Sequence, residues 1–245
     1  MKLRQVNTID EVIDQLEVYI DDCIQTENRM GYFATLYLEV TKAVKEGIIS
    51  SRFEDGPRME VLDVHFANLF FHSTQNPSVV WEKAFTSAEF SKFVLVQHLL
   101  LGMNAHINFD LALAVKQSVN KAEMDNLFSD YNEINTILIE QIDIMQEKVN
   151  KSWWIFRVLD LISLRFDELL VGFSLIKARE SAWNYAELLQ NTDKVDKILE
   201  EMETLTLSFA NILIKPKGLI INTIIWINHL FEPKSVSMLI KTIRS

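Results

Sequence analysis

Apolar positions recur every three to four residues along most of this chain, and no stretch sustains the every-other alternation of a half-buried strand. Val12, Leu16, Tyr19, Ile20 and Cys23 line one helical face behind a Thr8–Glu11 capping box. Phe33, Leu36, Tyr37, Val40 and Val44 define a second helix, from Asn28 to near Gly47. Pro57 opens a third, to about Gln75, with Leu62, Phe66, Leu69 and Phe70 facing inward, and Asn76-Pro77 stops it. A short helix around Trp81 follows. Thr86 or Ser87 then caps a long central helix, about 89–119. Further helices are predicted over about 121–149, 153–189 (bent near Gly172), 193–214 (stopped by Pro216), 218–230 and 234–243. With no linker-like stretch and no internal repeat, the expected architecture is all-α: one multi-helix bundle over 1–245 around the central helix, with 217–245 as a C-terminal appendage.

Composition supports that expectation and narrows the partners. Hydrophobic residues make up 49% and charged residues 24%, an ordinary core-forming balance, and only 6 Gly and 4 Pro punctuate the chain. A net charge of -10 without a basic stripe argues against nucleic acid, whose binding depends on Lys and Arg neutralising phosphates. Cys23 is alone, which fits a reducing compartment and no disulfide framework. The N-terminus lacks the apolar core of a signal peptide. The longest apolar run, Gly218 to Phe231, falls short of the roughly 20 residues that cross a bilayer. A cytoplasmic protein with no transmembrane segment is expected.

The candidate chemistry sits in the central helix. Gln97, His98, Asn104, His106, Asn108 and Asp110 fall inside an apolar run broken only by Gly102. Buried polar groups without partners cost about 1–3 kcal/mol each, so something must face them. His106 and Asp110 lie one turn apart, about 6 Å along the axis and on one face. Two arrangements are open to them: a hydrogen-bonded pair that ties helices together, or two ligands of a divalent metal such as zinc. Asp63, with Glu60 in reserve, is the third-ligand or base candidate from the preceding helix. His98, about 12 Å back along the helix, needs its own partner or a second metal and is a further catalytic candidate. Gln97, Asn104 and Asn108 form a separate stripe, of the kind that clamps neighbouring helices.

Other polar features admit two readings as well. In Arg52-Phe-Glu-Asp-Gly-Pro-Arg58 the arginines either fork onto an anionic substrate or are neutralised by Glu54 and Asp55. Arg179 and Trp183 either stack at a surface, or Arg179 balances Asp63 or Asp110 in the same cavity. His65 and His72 read as boundary residues and His229 as a core or rim histidine. Trp153-Trp154 and the apolar C-terminal segment are candidate partner surfaces, and a homo-oligomer is one such partner.

Arg52 through Asn68, together with Gln97 through Leu111, resembles the signature of an uncharacterised bacterial all-helical family, a domain of unknown function. The resemblance extends from about Phe33 to Leu189 and implies a fold without implying an activity. More distantly, Gly102-x-x-x-His106-x-x-x-Asp110 is similar to a helix of the zinc phospholipase C-like hydrolases. That likeness implies zinc ligation by His106 and Asp110 alone, since the other ligands of those enzymes have no counterpart here.

The functional expectation is a buried polar pocket between the third and central helices that takes a small molecule. As a metal-assisted hydrolase it would use His106, Asp110 and Asp63 on the metal, with Arg52 or Arg58 on an anionic substrate. The alternative is a non-catalytic ligand-binding or scaffold domain whose polar stripe is a hydrogen-bonded lock.

Overall fold

Which helices become the core follows from how completely each is apolar. The computed structural model describes residues 2–152 and 175–244, and among these there are helices and no strand. The helices are α1 (Ile9–Thr26), α2 (Met30–Ile49), α3 (Gly56–Ser73), α4 (Val79–Ala88), α5 (Leu95–Ala105), α6 (Leu111–Ser118), α7 (Met124–Ser152), α8 (Leu175–Gln190), α9 (Val195–Ile214), α10 (Leu219–Phe231) and α11 (Val236–Arg244). One π-helical turn, His106–Asp110, joins α5 to α6, and a 3-10 turn, Lys121–Glu123, precedes α7. The expected bend near Gly172 and the Trp153-Trp154 surface lie outside the described residues.

Helix α2 is buried almost all round from Met30 to Leu38, as a helix apolar on every side must be. It packs against α1, α3, α5, α7 and α11, which makes it as central as the predicted middle helix. Gly102 lets α5 approach it: a Cβ there would lie 2.4 Å from Phe33 Cγ, closer than atoms can sit.

Several helix starts follow local sequence. The Thr8 hydroxyl accepts from Glu11 N–H (3.2 Å), while Glu11 reaches Asn7 N–H (2.7 Å). Asp55 caps α3 ahead of Pro57, and Ser78 caps α4. The central rod is a correction of boundary: it begins at Leu95 rather than near residue 89, and Thr86 and Ser87 belong to α4. One local and one long-range partner set that start. The Gln97 carboxamide oxygen accepts from Val94 N–H (3.2 Å), and the Glu232 carboxylate accepts from Leu95 N–H (2.9 Å). Burial pushes the Glu232 carboxyl up to about 7. No helix among the described residues is long and apolar enough to cross a membrane.

Candidate functional site

The π turn carries the polar cluster. Its signature is the Leu111 N–H bond to the His106 carbonyl, five residues back, where an α-helix would reach only four. Single π turns occur often at functional sites because the extra residue re-aims side chains. Here both His106 and Asp110 are buried, at 2% and 4% exposure. His106 Nδ1 lies 2.9 Å from Asp110 Oδ2, so the hydrogen-bonded arrangement is the one present. Trp81 Nε1–H donates to the same oxygen at 2.9 Å.

This network defines the state of the imidazole. Burial lowers the His106 pKa and outweighs the raising effect of Asp110, so the ring is neutral. Burial likewise raises Asp110, opposed by its bonds from His106 and Trp81. With Nδ1–H donating to the carboxylate, Nε2 keeps a bare lone pair. Phe66 stacks flat on the ring at 3.5 Å between centroids, and Tyr37 meets it edge-on at 4.8 Å. Both fix its orientation.

His106 lines a cavity of about 70 Å³ between α2, α3, the π turn and α7. Its walls are mostly aliphatic and aromatic, with Tyr37, Asp63, His106 and Arg179 as the polar members. Three of these have a buried polar atom without any hydrogen-bond partner: Tyr37 Oη, Asp63 Oδ2 and His106 Nε2. Burial, then the charge of Glu60, raises the Asp63 carboxyl to about 7. Burial first, then the Asp63 and Asp110 carboxylates, hold the Tyr37 hydroxyl well above its ordinary range, so it stays protonated. Arg179 lines the cavity too, with its head engaged: Nε donates to Asn135 Oδ1 and Nη2 to the Tyr131 carbonyl, both at 2.6 Å. Trp183 packs on Tyr131 and Phe128 rather than on Arg179.

The remaining sequence candidates lie elsewhere. Arg52 forks onto Glu140 with two bonds of 3.1 Å and donates through Nε to Glu133, while Arg58 pairs with Asp55 at 2.6 Å. Neither lines the cavity. The loop between them is clamped by Asp130, whose carboxylate accepts from the N–H groups of Glu54 (2.7 Å) and Asp55 (2.9 Å). His98 is buried among Tyr32 and Phe93, its ring nitrogens unpartnered, and burial drives its pKa down to about 3. It does not line the cavity, nor do Thr41 and Asn228, whose buried side-chain polar atoms are also unpartnered.

The amide stripe clamps α9. Gln97 Nε2 donates to the Leu213 carbonyl (2.8 Å), Asn104 Nδ2 to that of Thr206 (2.9 Å), and Asn108 to Asn104 (2.8 Å). His65 meets Ser118 at 3.0 Å and His229 meets the Ser91 carbonyl at 2.8 Å. A second, larger cavity, about 240 Å³, opens beside His65, Asn68 and Gln75. Those groups already bond Ser118, Val6 and Leu3, so it offers less unmet polarity.

Among the described residues no three His, Cys, Asp or Glu side chains gather closely enough to hold a metal ion. Asp110 serves the Nδ1 side of His106, so it acts as an orienting partner to that ring. Comparison with known families bears on the whole arrangement: a model of a family of unknown function, DUF5995, matches residues 9–216. This chain belongs to the DUF5995 family. No curated protein and no solved structure matches it. In this DUF5995 chain the cavity residues Tyr37, Asp63, His106 and Arg179, and Asp110 behind His106, all fall within the matched span, whereas α10 and α11 lie beyond it.

Trp81 and Tyr37 are the members that sequence reasoning left out of the site. The apolar spacing of α2 marks Tyr37 only as a core position, and nothing local ties Trp81 to Asp110, because that bond depends on how α4 packs on the central rod.

Proposed function

We propose that this protein binds a small molecule in the cavity beside the π turn, with His106 as its proton or hydrogen-bond acceptor. The observation that carries the reading is the convergence of three unpartnered buried polar atoms on one cavity. Each such atom costs about 1–3 kcal/mol left unmet, and a ligand or ordered water would recover it. The Asp110–His106 pair holds the imidazole in the tautomer whose Nε2 is free, the arrangement a general base requires. Asp63, protonated below about pH 7, is suited to return a proton. Acid–base chemistry on the bound molecule, hydrolysis included, therefore lies within reach of these groups.

The test uses protein labelled with ¹³C at its methionine methyls, because Met59 and Met103 line the cavity and Met238 is exposed. A library of small fragments should contain members that move the Met59 and Met103 signals and leave Met238 in place. A library that moves neither removes the reading.

A second reading, association between copies, has separate support. Helix α10 carries no charged residue and exposes Leu219, Trp226, Leu230 and Phe231, a larger apolar strip than a solvated helix needs. Trp226→Ser should lower the sedimentation coefficient of any dimer, and an unchanged monomer in both proteins counts against association.

A further inference from the structure

The unmet hydrogen-bonding groups of the cavity are lopsided, and the imbalance specifies their complement. Asp63 Oδ2 and His106 Nε2 are acceptors, and Tyr37 Oη accepts as readily as it donates. An alkylammonium group has three N–H donors and no acceptor. Three open acceptors around one cavity match it one for one. The rings of Phe33, Tyr37 and Phe66 belong to the same walls, and aromatic rings attract cations through their faces. The aliphatic remainder suits a short hydrocarbon.

An anion fits poorly. Above about pH 7, where Asp63 is ionised, a carboxylate or phosphate would face a carboxylate and an imidazole lone pair, so two of the three unpartnered atoms offer it no hydrogen. Arg179 is already bonded to Asn135 and Tyr131. The other charged groups near Asp63 are Glu60 on its own helix and Asp110 across Tyr37, both carboxylates.

We infer that the cavity takes a small primary amine, its ammonium shared among Asp63, His106 and Tyr37 and its hydrocarbon end among the aliphatic walls. This inference rests on the binding role proposed above. At about 70 Å³, against a share of ~30 Å³ per water in the liquid, the space holds roughly two to three water-sized groups, which limits the amine to very few carbons.

The experiment titrates the methionine-labelled full chain with propylammonium chloride, 1-propanol and sodium propionate. Propylammonium should shift Met59 and Met103 and saturate at a concentration about tenfold or more below that of 1-propanol, while propionate shifts neither. Asp63→Asn should weaken the amine about tenfold or more, and Tyr37→Phe less, with Met238 unmoved throughout. If 1-propanol binds as well as the amine, or Asp63→Asn leaves the amine unaffected, the ligand class is overturned and the binding cavity survives. Silence toward all three probes while other fragments bind also overturns the amine alone. Silence toward every fragment overturns both.

Discussion

Polar side chains buried on the two sides of the central rod are treated in opposite ways. On one face, Gln97, Asn104 and Asn108 spend their amide N–H groups on α9 or on one another. On the other, His106 of the rod, Tyr37 of α2 and Asp63 of α3 have unpartnered buried atoms and line one cavity. Satisfied buried polarity orders a fold, and unsatisfied buried polarity weakens it. Under the binding role proposed above, a molecule outside the chain completes the cavity side. The contrast separates a lock from a site without appeal to residue type, since both faces carry residues common in active sites.

The contrast is sharpest under ionisation. Asp63 is raised to about 7 in the fold, while an unfolded aspartate titrates near ~3.9. The folded state therefore loses stability as pH rises from about 4 through about 7, by about 4 kcal/mol at most, and the loss levels off above. Asp63→Asn removes this. Urea denaturation should find the variant more stable than the parent by about 4 kcal/mol at pH 8, with the gain fading toward pH 4. A pH-independent difference would show that Asp63 is not a strained buried acid. Gly102→Ala comes next: its new methyl meets Phe33 at 2.4 Å, and overpacking of this kind costs about 1–3 kcal/mol despite alanine's better helix propensity. A stabilised variant would show that α2 and α5 are not in such close contact.

On the locked face, Asn104→Ala should cost about 2 kcal/mol, because it leaves a void and frees Asn108 and the Thr206 carbonyl of their partner. Smallest is a paired test of two buried tyrosines. Tyr131→Phe loses a 2.6 Å bond to the Arg179 carbonyl and should cost about 1 kcal/mol. Tyr37→Phe removes a hydroxyl with no partner and should be neutral or slightly stabilising in the ligand-free protein. Equal losses in the two variants would erase the distinction between the faces.

How much of this was legible in sequence depends on whether the determining contact is local. Helices and their caps are set by residues a few positions apart, so Thr8 caps α1 and Pro57 enters the first turn of α3 where their patterns place them. The pairing of His106 with Asp110 is one turn of helix and equally readable. The π turn between them is not, since the phase shift of one added residue is hidden in a run that is apolar on nearly every side. Arg52 finds its carboxylates 81 and 88 residues away, on α7, where the pattern offered Glu54 and Asp55 next door. Trp81 reaches Asp110 across 29 residues and a change of helix. Those partners are chosen by packing, which periodicity does not encode. The start of the central rod moved for the same reason: Glu232 defines it from the far end of the chain.

The most direct test of the central claim is a high-resolution crystal structure of the protein as purified, read at the cavity. The account predicts electron density there, from a ligand or ordered water, within hydrogen-bonding distance of at least two of Tyr37 Oη, Asp63 Oδ2 and His106 Nε2. A collapsed cavity, with those three atoms bonded to other groups of the chain, would contradict it.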